Sequence, residues 1–151
     1  MFRGVNAVNL DTKGRMTLPM RYRELMSDIS EGRLVVTIDT EERCLLIYPL
    51  PDWNTLQSKI EALPSFNPAA RRIQRLLIGH ATDVELDGNG RLLIPPPLRA
   101  YAYLEKKVVL LGQGRKIEVW SESHWEERRD SYLEMSGDSS QIPEELMTLS
   151  L

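Results

Sequence analysis

The chain holds one cysteine, two histidines and two phenylalanines in 151 residues. A single cysteine excludes an internal disulfide. Cys44 lies in the apolar run Cys44-Leu45-Leu46-Ile47, where a small buried hydrophobe is the plain reading. A chain with no disulfide framework fits a reducing, cytoplasmic setting. His80 and His124 stand far apart, and neither Cys-x-x-Cys nor His-x-x-x-His spacing occurs, so no metal site is expected. An uninterrupted apolar run of about 20 residues is missing, which predicts no transmembrane helix. The start, Met1-Phe2-Arg3-Gly4-Val5-Asn6, lacks the apolar stretch of a secretory signal. Also missing are the Gly-x-x-x-x-Gly-Lys phosphate loop, the Gly-x-Gly-x-x-Gly dinucleotide fingerprint and the Gly-x-Ser-x-Gly nucleophile elbow. No nucleophile–base or metal pattern names a reaction, so the expectation is a protein that is not an enzyme and takes no cofactor and no small-molecule substrate.

A hydrophobic fraction of 42% is enough to fill the core of one or two small domains. Net charge is -3, a balance that argues against a polyanionic partner. Its distribution argues the other way. Residues 1–23 carry Arg3, Lys13, Arg15, Arg21 and Arg23 against Asp11 alone, a local balance of +4. Residues 118–151 carry nine acids against Arg128 and Arg129, a balance of -7. Such asymmetry fits one surface facing a polyanion and another kept acidic, and it equally fits clusters of solvated charge.

The strongest signal is an internal repeat. With Asp11 placed on Asp87, Val8 meets Val84, Leu10 meets Leu86, Gly14 meets Gly90, Arg15 meets Arg91, Pro19 meets Pro95 and Arg23 meets Arg99. Seven of the sixteen positions from 8 to 23 are thus identical at an offset of 76 residues. Further on the offset shrinks: Leu45–Tyr48 aligns with Ile117–Trp120, and Trp53 with Trp125.

Each copy reads as strand, turn, strand, short helix, hairpin, helix, an α+β pattern that is mainly β. Val5–Leu10 and Arg15–Leu18 are strand-like around the turn Asp11-Thr12-Lys13-Gly14, in which Asp bonds its own backbone and Gly is free to take a positive φ. Pro19 suits a helix start, and a helix is predicted near Arg21–Ser27. Short apolar runs, Leu34–Ile38 with Leu45–Tyr48 and Val108–Gly112 with Ile117–Trp120, read as hairpins. Asp52 is placed as the cap of a helix with apolar Trp53, Leu56, Ile60 and Leu63. Ser123 with Glu126 reads as a capping box ahead of Trp125, Tyr132 and Leu133. Asn67 caps a third helix, with Pro68 first, Ile73, Leu76 and Leu77 on one face and Arg71, Arg72 and Arg75 on the other. From Gly137 the tail is polar and ends in a weakly periodic segment with Ile142, Leu146 and Leu149.

The two Asp-x-x-Gly-Arg turns are the candidate functional feature. An arginine that opens a rigid strand is held at fixed aim and can pair bidentately with phosphate or with guanine O6 and N7. Lys13, at the first turn's tip, adds a phosphate contact. Two readings fit: the arginines face a nucleic acid, or Asp11 and Arg15 bridge each other and lock the turn. Arg21 and Arg23 read either as part of the basic surface or as solvated helix residues.

These residues resemble the MraZ family of bacterial transcriptional regulators over nearly the whole chain. The resemblance rests on Met1-Phe2-Arg3-Gly4, Asn9-Leu10-Asp11-x-Lys13-Gly14-Arg15, Pro19-x-Arg21-Tyr22-Arg23, Leu46-x-Tyr48-Pro49, Asn67-Pro68-x-x-Arg71-Arg72 and Asp87-x-x-Gly90-Arg91-x-Leu93-Ile94-Pro95. It implies two swapped-hairpin (AbrB-like, SpoVT-AbrB) modules that interlock as a pseudo-dimeric double-split β-barrel flanked by helices. The expected division is a first module at 5–52, connecting helices at 53–80, a second module at 81–124, and a C-terminal helix and tail at 125–151. It further implies a ring-shaped homo-oligomer, octamer-like. The implied DNA partner is tandem G-rich direct repeats ahead of a division and cell-wall gene cluster, bound with repression of the protein's own operon in a cytoplasmic, nucleoid-associated setting. The family's DNA-contacting arginine maps onto Arg15, with Arg91 at the matching place in the second motif. With the reading of the turns, the expected DNA-binding residues are Arg15, then Lys13, Arg91 and Arg3, with Asp11, Gly14, Asp87 and Gly90 shaping the turns. Asn89 stands where the first copy has Lys13, which makes the first turn the better reader. The rival reading is an antitoxin-like or other protein-interaction module on the same fold.

Overall fold

The computed structural model describes residues 1–135 and 143–149. The strands are β1 (Phe2–Asn9), β2 (Arg15–Thr17), β3 (Arg33–Ile38), β4 (Leu45–Pro49), β5 (Thr82–Glu85), β6 (Arg91–Leu93), β7 (Lys107–Gly114) and β8 (Ile117–Ser121). The helices are α1 (Met20–Ser30), α2 (Leu50–Glu61), α3 (Pro68–Ile73), α4 (Pro96–Tyr101), α5 (Glu122–Glu134) and α6 (Glu144–Met147). Of the expected tail segment, Gly137 and Ile142 lie outside the described residues, while Leu146 and Leu149 are exposed.

The hairpins β3–β4 and β7–β8 form as their apolar runs predict. Each then recruits the first strand of the opposite half. β1 pairs antiparallel with β7, from Phe2–Gly114 to Asn9–Lys107, and β5 pairs with β3. β4 and β8 join the halves at the centre, giving a six-stranded order β1-β7-β8-β4-β3-β5. The short strands β2 and β6 pair with each other as a separate ribbon. The repeat therefore folds about a pseudo-two-fold axis. That axis passes through two cross-strand pairs of repeat-equivalent residues, Leu46 opposite Glu118 and Met16 opposite Leu92.

The sheet is not closed into a barrel. β1 and β5 are its two edges, because the chain that could bridge them, β2 and β6, is spent on the separate ribbon. Both edges alternate half-buried with exposed positions over much of their length. β5 is short and carries Asp83 and Glu85, which discourages stray pairing.

Both faces of the sheet are covered, which is why β3 and β7 read as continuous apolar runs rather than alternating ones. On one face Leu34, Val36, Ile38, Leu110 and Val119 pack with Met16, Leu18, Tyr22, Met26, Leu92, Ile94 and Leu98 from β2, α1, β6 and α4. On the other, Cys44, Val109, Leu111 and Trp120 pack with Trp125 of α5, and Trp53 of α2 meets Tyr48 at a ring separation of 5.7 Å. Cys44 is wholly buried, and burial pushes its thiol far above the ordinary range, which disfavours the thiolate.

The helix starts correct two expectations. α2 begins at Leu50 with Pro49 at its cap, so Asp52 sits inside the first turn and makes no cap hydrogen bond. Prolines at 49 and 51 fix the entry angle instead, and Asp52 acts only on the helix dipole. α5 begins at Glu122 with Ser121 at the cap position and no side-chain cap. The Ser123–Glu126 box does not form, because Ser123 already lies inside the helix; its hydroxyl instead meets that of Ser121 at 3.2 Å. Tyr132 and Leu133 are exposed rather than core. Tyr132 and Arg128 both donate to Glu42 at 2.7 Å and tie α5 to the β3–β4 loop.

Asn67 does cap α3, accepting from the N–H groups of Ala69 and Ala70 at 2.8 and 3.2 Å. α3 then widens into a π turn over Gln74–Ile78, closed by the Gly79 N–H donating to the Gln74 carbonyl. Beside this turn the Leu77 carbonyl accepts from the fully buried Thr37 hydroxyl at 2.7 Å. Thr37→Val removes that donor at nearly constant volume and leaves the carbonyl without it. Chemical denaturation is expected to show a loss of about 1 kcal/mol.

Candidate nucleic-acid interface

The two Asp-x-x-Gly-Arg turns are congruent bond for bond. In the first, Asp11 Oδ1 accepts from the backbone N–H groups of Lys13 and Arg15, both at 2.9 Å, and Oδ2 accepts from Arg15 Nε at 3.0 Å. In the second, Asp87 Oδ1 accepts from Asn89 and Arg91 N–H at 2.9 Å, and Oδ2 from Arg91 Nε at 2.9 Å. Gly14 and Gly90 take φ of +85° and +72°, a region an L side chain enters only with strain. The turn lock read as an alternative in the sequence is therefore made in both halves. It does not compete with an outward role, since each carboxylate takes only Nε and no other guanidinium hydrogen bond of Arg15 or Arg91 is made among the described residues. A guanidinium gripped by Nε keeps its Nη edge free in a fixed plane.

The β2–β6 ribbon brings these two arginines together. Met16 and Leu92, opposite each other, point into the core and are each 1% exposed. The neighbours on either side, Arg15, Thr17, Arg91 and Leu93, therefore share the outer face. Arg15 lies opposite Leu93 and Arg91 opposite Thr17, so the arginines are diagonal neighbours at about 7–8 Å between backbones. Lys13 is exposed at the first turn's tip. Arg3 is exposed at the far end of β1, up to about 26 Å of strand from the turn, and is not brought to the ribbon.

Three residues escaped the sequence reading. Thr17 joins the outer face only through the ribbon register. Lys106 is exposed beside the first turn because its carbonyl accepts from Leu10 N–H at 2.8 Å. Arg99 lies directly against Gly14: a Cβ there would sit 2.7 Å from its Cζ. Arg23, read as a solvated helix residue or a surface cation, is half-buried against Gly90 and reaches the Asn89 carbonyl at 3.5 Å. Arg21 remains exposed. Among the described residues no three His, Cys, Asp or Glu side chains gather as a metal site, and no helix is long and apolar enough to cross a membrane.

Comparison with known proteins resolves the repeat. A family model described as "MraZ protein, putative antitoxin-like" matches twice, at residues 1–76 and 77–148. The chain belongs to the MraZ family. MraZ relatives named "Transcriptional regulator MraZ" include those of Coxiella burnetii (strain Dugway 5J108-111), 57% identical, and Legionella pneumophila (strain Corby), 55% identical. That of Halorhodospira halophila (strain DSM 244 / SL1) is 53% identical. Each alignment covers 152 positions and the whole of both chains. In this MraZ chain each family-model match contains one Asp-x-x-Gly-Arg turn.

The locks carry a pH dependence. The hydrogen bond from the Arg15 N–H, more than any other contact, holds the Asp11 carboxyl below its ordinary value of 3.8, and the Arg91 N–H does the same for Asp87. A depressed carboxylate pKa stabilises the fold above the ordinary value and loses that contribution as pH falls through the depressed one. Acid titration followed by the Arg15 and Arg91 Nε–H resonances should show both protected at neutral pH and released below pH 3.8. In Asp11→Asn the Arg15 step should vanish and the Arg91 step persist.

Proposed function

We propose that the protein is a non-enzymatic transcriptional regulator that binds double-stranded DNA through the outer face of the β2–β6 ribbon. The observation that supports this reading is the pair of arginines locked by carboxylates on one exposed face of a two-stranded ribbon. A ribbon of this kind fits a DNA major groove, and a bidentate arginine reads guanine there. Arg15 is the principal base reader, flanked by Lys13 as a phosphate contact. Arg91 is the weaker partner, with Asn89 in place of a lysine. Arg3, far along β1, serves as an outlying phosphate contact.

The finer reading follows the family. The halves, at 5–52 and 81–124, act as swapped-hairpin modules, with the segments at 53–80 and 125–151 joining and flanking them. The binding sites are tandem G-rich direct repeats before a division and cell-wall operon that includes the protein's own gene, which it represses, in the cytoplasm at the nucleoid. A net charge of -3 gives a lone chain little general attraction for phosphate. A ring of copies, octamer-like, would present many Arg15 side chains along tandem repeats and raise avidity. The antitoxin-like alternative draws on the family model's own description, and capture of a stoichiometric small basic protein would favour it.

Arg15→Ala, with oligomer size checked by light scattering, is expected to weaken operator binding by about 1–3 kcal/mol per lost guanine contact. Arg91→Ala should cost less. Unchanged affinity and salt slope in Arg15→Ala would sink the assignment.

A further inference from the structure

We propose that Arg99 and Arg23 are positioning residues that work across the halves, Arg99 setting the aim of Arg15 and Arg23 that of Arg91. This rests on the reading of Arg15 as the base reader and names what controls that site.

The space beside each turn glycine is filled from the opposite half. A Cβ at Gly14 would lie 2.7, 2.8 and 3.0 Å from Cζ, Nε and Nη1 of Arg99. A Cβ at Gly90 would overlap Cδ of Arg23 and lie 2.8 and 2.9 Å from its Nε and Nη1. Each guanidinium thus occupies the volume that a side chain at the glycine would take. The positive φ is what requires glycine at 14 and 90; the arginine side chain occupies the space this leaves beside each turn.

The same glycines are held by backbone from the opposite half. Ile94 N–H donates to the Gly14 carbonyl at 2.8 Å, and Leu18 N–H to the Gly90 carbonyl at 3.0 Å. The residue following each gripped glycine is the locked arginine itself. A shift of the glycine peptide is therefore passed directly to Arg15 or Arg91.

Ordinary roles do not account for Arg23 and Arg99. Neither makes an ion pair among the described residues, and the Nε of each is buried without a hydrogen-bond partner. The one bond made is the long Arg23 Nη1 contact to the Asn89 carbonyl, 3.5 Å, within the second turn itself. With no carboxylate to hold it, each guanidinium is placed by its fit beside the turn. A planar guanidinium fills such a space differently from a compact lysine ammonium. The repeat points the same way. Met20-Arg21-Tyr22 in the first copy has become Pro96-Pro97-Leu98 in the second, while the next residue is arginine in both.

The test uses full-length oligomer carrying Arg99→Lys, which keeps charge and stem, and Arg99→Met, which keeps the stem alone. Melting temperature is recorded for each. In the free protein, Arg99→Lys should speed exchange of the Arg15 Nε–H and leave that of Arg91 unchanged, and Arg23→Lys should do the reverse. On DNA, both Arg99 variants should lower the preference for G-containing repeats over scrambled duplex by roughly tenfold, within what one arginine–guanine pair contributes, with the salt slope unchanged. A salt slope reduced by about one per chain would show that Arg99 touches phosphate itself and would overturn the proposal. So would unaltered Arg15 exchange together with unaltered discrimination. If Arg15→Ala leaves DNA binding intact while the crossed exchange pattern appears, the positioning stands and the DNA reading falls.

Discussion

The structure depends on the exchange of first strands between the two halves. A two-stranded hairpin is marginal in water, and each half supplies only that for itself. β7–β8 gains its third strand from β1, and β3–β4 gains its third from β5. β2 and β6, which follow the exchanged strands, are carried across with them and can pair only with each other. The ribbon is thus a product of the exchange, as is the core beneath it, where Met16 and Leu92 meet on the axis. Neither half holds a complete sheet or a complete site alone.

On this frame the turns are built by one carboxylate each. An aspartate oxygen shared by two backbone N–H groups closes the loop, and its second oxygen fixes the arginine. The same bonds recur at Asp87 in the second turn, while the flanks of the two turns differ. The divergence is electrostatic: Lys13 and Lys106 border the first turn, whereas Asn89 and Gly32 stand in the matching places at the second.

Local features were legible in the sequence. The duplicated turn, the hairpin runs, the Asn67 cap and a buried Cys44 all follow from patterns within a few residues. Asp52 and Ser123 look like caps in isolation, but the helices start earlier, at Leu50 after Pro49 and at Glu122 after Ser121, neither with a side-chain cap bond. The contacts of Arg99 and Arg23 were not legible at all. They depend on a pairing that brings Gly14 within reach of a residue 85 positions away, and no local signal records which strand crosses to which hairpin. The open sheet belongs to the same class, since strand exchange and sheet closure have identical local patterns.

The pseudo-two-fold axis through Met16 and Leu92 has one more consequence. A dimer of identical modules is symmetric by necessity, and any change to one turn is imposed on the other; such dimers match palindromic sites. Covalent linkage removes that necessity. Because Lys13 and Asn89 sit at equivalent places across the axis, turning the ribbon by half a revolution does not reproduce it. The fused chain has a head and a tail, and a double helix laid against it would be met in one direction and not the other.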